Sequence, residues 1–106
     1  MEIQYLEEDK VLLFEITEEL DHHAVEKLRR KADYEIERYI PRKVIFDFNN
    51  VTFMDSAGIG LILGRYKNIS ILGGKLEVIN VAENINKILK MSGLDKIINI
   101  NKEECA

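Results

Sequence analysis

From residue 43 onward, short apolar runs of strand length alternate with segments of helical period. Few folds accommodate that order besides a largely parallel sheet joined by right-handed helical crossovers. Val44 to Phe48 is the first run, apolar apart from Asp47, which is the composition of a strand covered on both faces. Ile59, Ile62, Leu63, Tyr66 and Ile69 supply the core stripe of a helix that begins near Ser56 and stops at Gly73-Gly74. Leu76 to Val81 is the next strand. Ile85, Ile88 and Leu89 mark a further helix, closed by Gly93, with Leu94 placed for the accompanying hydrophobic contact. Ile97 to Ile100 reads as a last short strand.

Upstream, Ile3 to Leu6 and Val11 to Ile16 are β-like runs separated by Glu7-Glu8-Asp9-Lys10, a polar hairpin loop that adds an antiparallel edge. Asp21 stands where an N-cap belongs, and Leu20 and Val25 are spaced as a hydrophobic staple across the first turn. Val25, Leu28, Ala32, Ile36 and Tyr39 then recur at helical spacing, and Pro41, the only proline, ends that helix. The chain is 106 residues long and 46% hydrophobic, enough for one compact core and not for two. The expected fold is a single α/β domain over residues 1–106, a four- or five-stranded mixed sheet with helices packed mainly on one face.

Charge narrows the partners. Fifteen basic against 19 acidic residues leave a net charge of -4, which argues against direct nucleic-acid binding. The one basic cluster, Lys27, Arg29, Arg30 and Lys31, lies at helical spacing and reads as a solvated face. No apolar stretch approaches the roughly 20 residues of a membrane span, and no signal peptide is visible, so a cytoplasmic protein with no membrane partner is expected. Cys105, the single cysteine, has no internal partner and reads as inert. His22 and His23 lack the further ligands a metal site needs.

The least ordinary segment is Met54-Asp55-Ser56-Ala57-Gly58-Ile59-Gly60. It sets a hydroxyl at the start of a helix just after the C-terminal end of a strand, the edge where partners of open α/β sheets dock. Ser56 there is either a plain N-cap or an accessible, modifiable hydroxyl. Gly58 and Gly60 each cost about 1 kcal/mol relative to alanine in a helix, so they suit close approach by another protein. Ala57, Leu61, Gly64, Asn68 and Ile71 share the outward face, which is either a docking surface or is covered by neighbouring elements. A phosphate on Ser56 would add about -1.5 to -2 charges beside Asp55. The helix N-terminus tolerates such an anion, so the effect would fall on the interface rather than the fold. A hydrolytic triad of Ser56 with His22 or His23 and Asp21 or Asp55 fails on motif, because Gly-x-Ser-x-Gly is absent. It also fails on geometry, because adjacent histidines on a helix point about 100° apart. The phosphate-loop and dinucleotide fingerprints are missing as well.

Three stretches, Glu19-Leu20-Asp21-His22-His23, Phe53 through Lys67, and Met91-Ser92-Gly93-Leu94 with Lys96-Ile97-Ile98, make the chain resemble the anti-anti-sigma factors of the STAS-domain family. The resemblance implies that Ser56 is phosphorylated by a serine kinase that is also the anti-sigma factor. It further implies that the unphosphorylated form binds this partner and releases the sigma factor, and that a PP2C-type phosphatase resets the switch. On the same grounds Asp21 belongs to the phosphorylation and partner-binding site, beside Asp55, Ala57, Gly58, Gly60, Leu61 and Gly64. The chain itself would need no cofactor and no catalytic residue. Leu63-Gly64-Arg65-Tyr66-Lys67 favours the sporulation branch; the alternative is a STAS domain of another sigma-regulatory or stressosome-like pathway. Some STAS-type domains bind GTP, which leaves direct nucleotide binding open. Glu18 replaces a usual glycine, and Ala57 stands where relatives often carry a second serine, leaving Ser56 the only hydroxyl there. A C-terminal helix of longer relatives is expected to be shortened or absent. Ser56 should be exposed at the start of the second helix, with Asp21 nearby.

Overall fold

The computed structural model describes residues 1–103, and Cys105 lies outside them. The polar Glu7–Lys10 turn, with Lys10 at φ 55°, folds β1 (Glu2–Leu6) back on β2 (Val11–Glu15) as an antiparallel hairpin. β3 (Lys43–Asp47), β4 (Lys75–Val81) and β5 (Asn99–Lys102) follow in parallel, giving a five-stranded sheet in the order β1-β2-β3-β4-β5. The connections are α1 (His22–Tyr39), α2 (Ser56–Ile71) and α3 (Glu83–Ser92), the last followed by a 3-10 turn at Leu94–Lys96.

Because consecutive parallel strands are spatial neighbours, right-handed crossovers place all three helices on the same face. Burial alternates accordingly. Leu12 and Phe14 on β2, Val44 and Phe46 on β3, and Leu76 and Val78 on β4 face the helices and are buried. Phe14 and Phe46 stack with ring centroids 5.4 Å apart. This corrects the reading of Val44 to Phe48 as covered on both sides: Lys43, Ile45 and Asp47 are only partly buried, because the helix layer leaves the opposite face bare.

α1 buries Leu28, Ala32 and Ile36, the middle of its expected stripe. It ends in Ile40, a β-branched residue at φ 44° whose N–H donates to the Ile36 carbonyl, before Pro41 prevents another turn. α2 is rotated from the stripe read in the sequence. Its buried residues are Gly58, Leu61, Ile62, Arg65 and Ile69, while Ile59, Leu63 and Tyr66 pack at the margin of the core. An arginine in that stripe is accommodated by Asp33 of α1, whose Oδ1 lies 2.8 Å from Arg65 Nε. Burial pushes the Arg65 guanidinium below its usual range, Asp33 opposes that shift, and Arg29 adds to it. Gly73, at φ 83°, and Gly74 close α2 in a Schellman motif: the Gly74 N–H donates to Ile69 and the Gly73 N–H to Ser70.

Gly93, at φ 81°, caps α3, and Leu94 beyond it is buried. The following 3-10 turn, fastened by the Ile98 N–H on the Leu94 carbonyl, delays the last strand to Asn99–Lys102, two residues later than Ile97 to Ile100.

Candidate functional site

The site is where the loops leading into α1 and α2 meet. Leu20 and Met54 form a parallel β-bridge outside the main sheet. The Leu20 N–H donates to the Phe53 carbonyl at 3.1 Å, and the Asp55 N–H donates to the Leu20 carbonyl at 3.2 Å. Both bridge residues are buried. The next residue in each chain segment is therefore an aspartate at a helix start. Asp21 caps α1, its Oδ1 accepting from the N–H groups of His23 and Ala24 at 3.0 and 2.9 Å. Asp55 caps α2, its Oδ1 accepting from the Ala57 N–H at 2.8 Å.

Capping by Asp55 settles the structural alternative for Ser56. The serine is not the N-cap but the first helical residue, and it is exposed. Its hydroxyl makes no hydrogen bond among the described residues, so it has no cap to maintain. The structure brings Asp21, Asp55, Ser56 and Ala57 together at one end of the helix layer, with Asp21, Asp55 and Ala57 partly exposed.

Two expected docking residues point inward instead. Gly58 is buried, and a Cβ there would fall 2.3 Å from Met54 Cγ and 3.2 Å from Leu20 Cβ. Its glycine is needed so that α2 can seat on the Leu20–Met54 bridge, not to admit a partner. Leu61 is only 2% exposed and belongs to the core, because the rotation of α2 carries it against the neighbouring layer. Gly60 and Gly64 keep the outward role: a Cβ at either would meet nothing within 4 Å. One residue missed in the sequence reading joins them. Phe53 is 47% exposed beside the bridge, an aromatic ring in solvent whose position in a nominal strand-to-helix loop gave no periodic signal.

Glu18 ties the first of these loops to the start of β1. Its Oε1 accepts from the Met1 ammonium at 2.8 Å and from the Thr17 N–H and hydroxyl. Burial alone would raise the Glu18 carboxyl, but those hydrogen bonds and the ammonium charge hold it below the usual range.

A profile of the STAS domain matches residues 2–104. The chain belongs to the STAS-domain family. Among relatives, it is 40% identical over 94 residues to the anti-sigma F factor antagonist of Paenibacillus polymyxa, spanning 89% of this chain and 80% of that one. The STAS fold superposes on the anti-sigma factor antagonist SpoIIAA in its unphosphorylated form with a TM-score of 0.79 and 30% identity, covering 96% of this chain and 90% of the other. It matches the Bacillus cell fate determinant SpoIIAA in the phosphorylated form with a TM-score of 0.72 and 29% identity, covering 96% and 91%. In this STAS domain the loops that carry the Asp55-Ser56 step and Asp21 are held together by backbone hydrogen bonds.

Proposed function

We propose that this STAS domain is an anti-sigma factor antagonist operated as a phospho-switch at Ser56. The unphosphorylated form binds an anti-sigma factor that is also a serine kinase, so that the sigma factor is released. The kinase then transfers the γ-phosphoryl group of its ATP to Ser56 Oγ. The Oγ–P bond forms, ADP leaves, and the serine proton passes to a base on the kinase. The phosphorylated form no longer binds, and a PP2C-type phosphatase returns it to the starting state by hydrolysis. The chain supplies the acceptor and the docking surface, and the chemistry is its partners'.

The observation that carries this reading is the exposed, unbonded Ser56 hydroxyl at the first helical position of α2, already relieved of capping by Asp55. The neighbouring surface suits a partner: Phe53 offers an exposed ring, Gly60 and Gly64 leave room above the helix, and Ala57 adds no bulk. A phosphate there would sit beside two carboxylates, Asp21 and Asp55. It would convert a small-residue surface into one bearing about -1.5 to -2 additional charges. Similarity to a 40% identical anti-sigma F factor antagonist and to SpoIIAA in both states supports the same reading.

The test is incubation with the anti-sigma factor kinase from the same organism and ATP, followed by mass spectrometry of the modified peptide. One phosphate on Ser56, absent from Ser56→Ala, is the expected result. Phosphate on another residue, or none with an active kinase, overturns the reading.

A further inference from the structure

Below the start of β5 the sheet has a notch. β5 pairs with β4 only from the Glu77–Asn99 register onward, because the 3-10 turn holds Ile97 and Ile98 out of the strand. Lys75 and Leu76 therefore have β3 on one side and no strand on the other. The Lys75 N–H donates to the Arg42 carbonyl, on the β3 side. Successive strand residues turn their backbone groups to opposite sides, so the Leu76 N–H points into the notch. It has no partner among the described residues, and an unpaired amide on a residue only 5% exposed is uncommon.

The notch opens into a cleft of about 490 Å³ between the second half of α2 and the 3-10 turn. That volume falls within the roughly 300–1,000 Å³ of small-molecule sites. Lining it are the Lys75 ammonium and the Tyr66 and Ser70 hydroxyls, one turn apart on α2. Like the Leu76 N–H, these groups make no hydrogen bond or ion pair among the described residues. The carboxylate on the wall, Glu77, is already engaged by Lys43 at 3.2 Å and by Asn101 at 3.4 Å. Leu76, Ile97 and Ile98 make the apolar part of the wall.

Free donors beside an apolar wall suit an anion that carries a hydrocarbon tail. We propose that this cleft binds a small monocarboxylate with a short aliphatic tail. The carboxylate accepts from the Leu76 N–H and pairs with the Lys75 ammonium, and the Tyr66 and Ser70 hydroxyls serve its remaining lone pairs. The tail lies on Ile97 and Ile98. Glu77 disfavours a phosphate dianion, whose second negative charge would meet a fixed carboxylate. The cleft is at the N-terminal ends of the strands, whereas Ser56 lies beyond the C-terminal end of β3. The site therefore does not rest on the proposed phospho-switch.

Titration of the isotope-labelled full chain with isocaproate, from about 0.1 to about 20 mM and read by amide shifts, tests this. Saturable shifts centred on Leu76 and on residues 97–99 are expected, with a dissociation constant on the order of 1 mM for a ligand of this size. The neutral isocaproamide and inorganic phosphate should each bind about tenfold more weakly. Lys75→Gln should weaken isocaproate binding about fivefold or more, and Tyr66→Phe about two- to threefold. Lys31→Gln, at an exposed lysine on α1, should leave it unchanged. Shifts that do not saturate or that centre elsewhere overturn the proposal. So does an amide or phosphate that binds as tightly as isocaproate, or a Lys75→Gln chain that binds like wild type. The wild-type shift map does not depend on how well the variants fold, and the Ser56 amide should stay still whether or not the switch reading holds.

Discussion

α2 and α3 each follow a parallel strand and lie on the same side of the sheet, α2 after an eight-residue loop (48–55) and α3 after Ala82 alone, and their first turns are built in opposite ways. α3 has Ala82 at its cap position with no side-chain hydrogen bond, and an acidic residue, Glu83, in its first turn. Glu83 lies 3.4 Å from Lys102 and supplies the negative charge that a helix N-terminus favours. α2 has a full side-chain cap in Asp55 and no acidic residue in its first turn. Its first helical position is instead an exposed serine. The comparison teaches that the two helices place their one N-terminal carboxylate differently: α2 holds it at the cap, engaged with the Ala57 N–H, and leaves its first turn uncharged, whereas α3 holds it in the first turn. A first-turn anion, which α3 has in Glu83, would come to α2 through the proposed phosphorylation of Ser56.

The sharpest way to break that contrast is to write the charge into α2. Ser56→Asp should weaken binding to the anti-sigma factor kinase by about 2–3 kcal/mol, roughly 30- to 150-fold, with Ser56→Ala close to wild type in a titration calorimeter. The Tm of the isolated Ser56→Asp chain should barely move, because the added carboxylate sits where the helix tolerates it. Equal binding by the two variants would dismiss the interface account.

The next effect concerns packing beneath the serine. Gly58→Ala should cost about 1–3 kcal/mol in urea unfolding, since its Cβ would overlap Met54, and should slow phosphorylation by displacing the helix start. Gly60→Ala, with open space around its Cβ, should raise stability by about 0.5–1 kcal/mol. If both glycines behaved alike, the distinction between an inward and an outward glycine would be wrong.

Exchanging the caps gives a smaller effect of opposite sign at the two helices. Asp55→Ala should cost about 1 kcal/mol, and Ala82→Ser, at an extended backbone position of φ -64° and ψ 154°, should gain about 0.5–1 kcal/mol, both read from denaturation midpoints. Smallest of all, Glu83→Gln should lower stability by about 0.3–1 kcal/mol at low salt, and less as salt is raised.

Much of this architecture was legible before coordinates. α1 is polar on one side and apolar on the other, so its stripe of Leu28, Ala32 and Ile36 was readable from period alone. α2 is apolar nearly all round, so its period had little contrast. The true stripe, Gly58, Leu61, Ile62, Arg65 and Ile69, lies about one residue away from the one inferred. The arginine in that stripe, Arg65, is faced by Asp33 from α1, a pairing between helices that the period of α2 does not carry. The start of β5 was missed because Leu94–Lys96 takes up the chain in a 3-10 turn whose residues carry no distinguishing signal. At the site, the serine and both aspartates could be found by motif. The inward turn of Gly58 and Leu61 depended on the Leu20–Met54 bridge, a pairing between distant segments that no local pattern announces.

That bridge has a genetic consequence. The proposed acceptor, Ser56, is positioned as much by Leu20 as by its own neighbours in the chain, because the Asp55 amide hangs from the Leu20 carbonyl. Lesions far upstream, in the stretch from Glu18 to Asp21, would therefore surface as altered acceptor reactivity. A screen for regulatory mutants would recover two clusters of alleles, widely spaced along the chain, behaving as one locus.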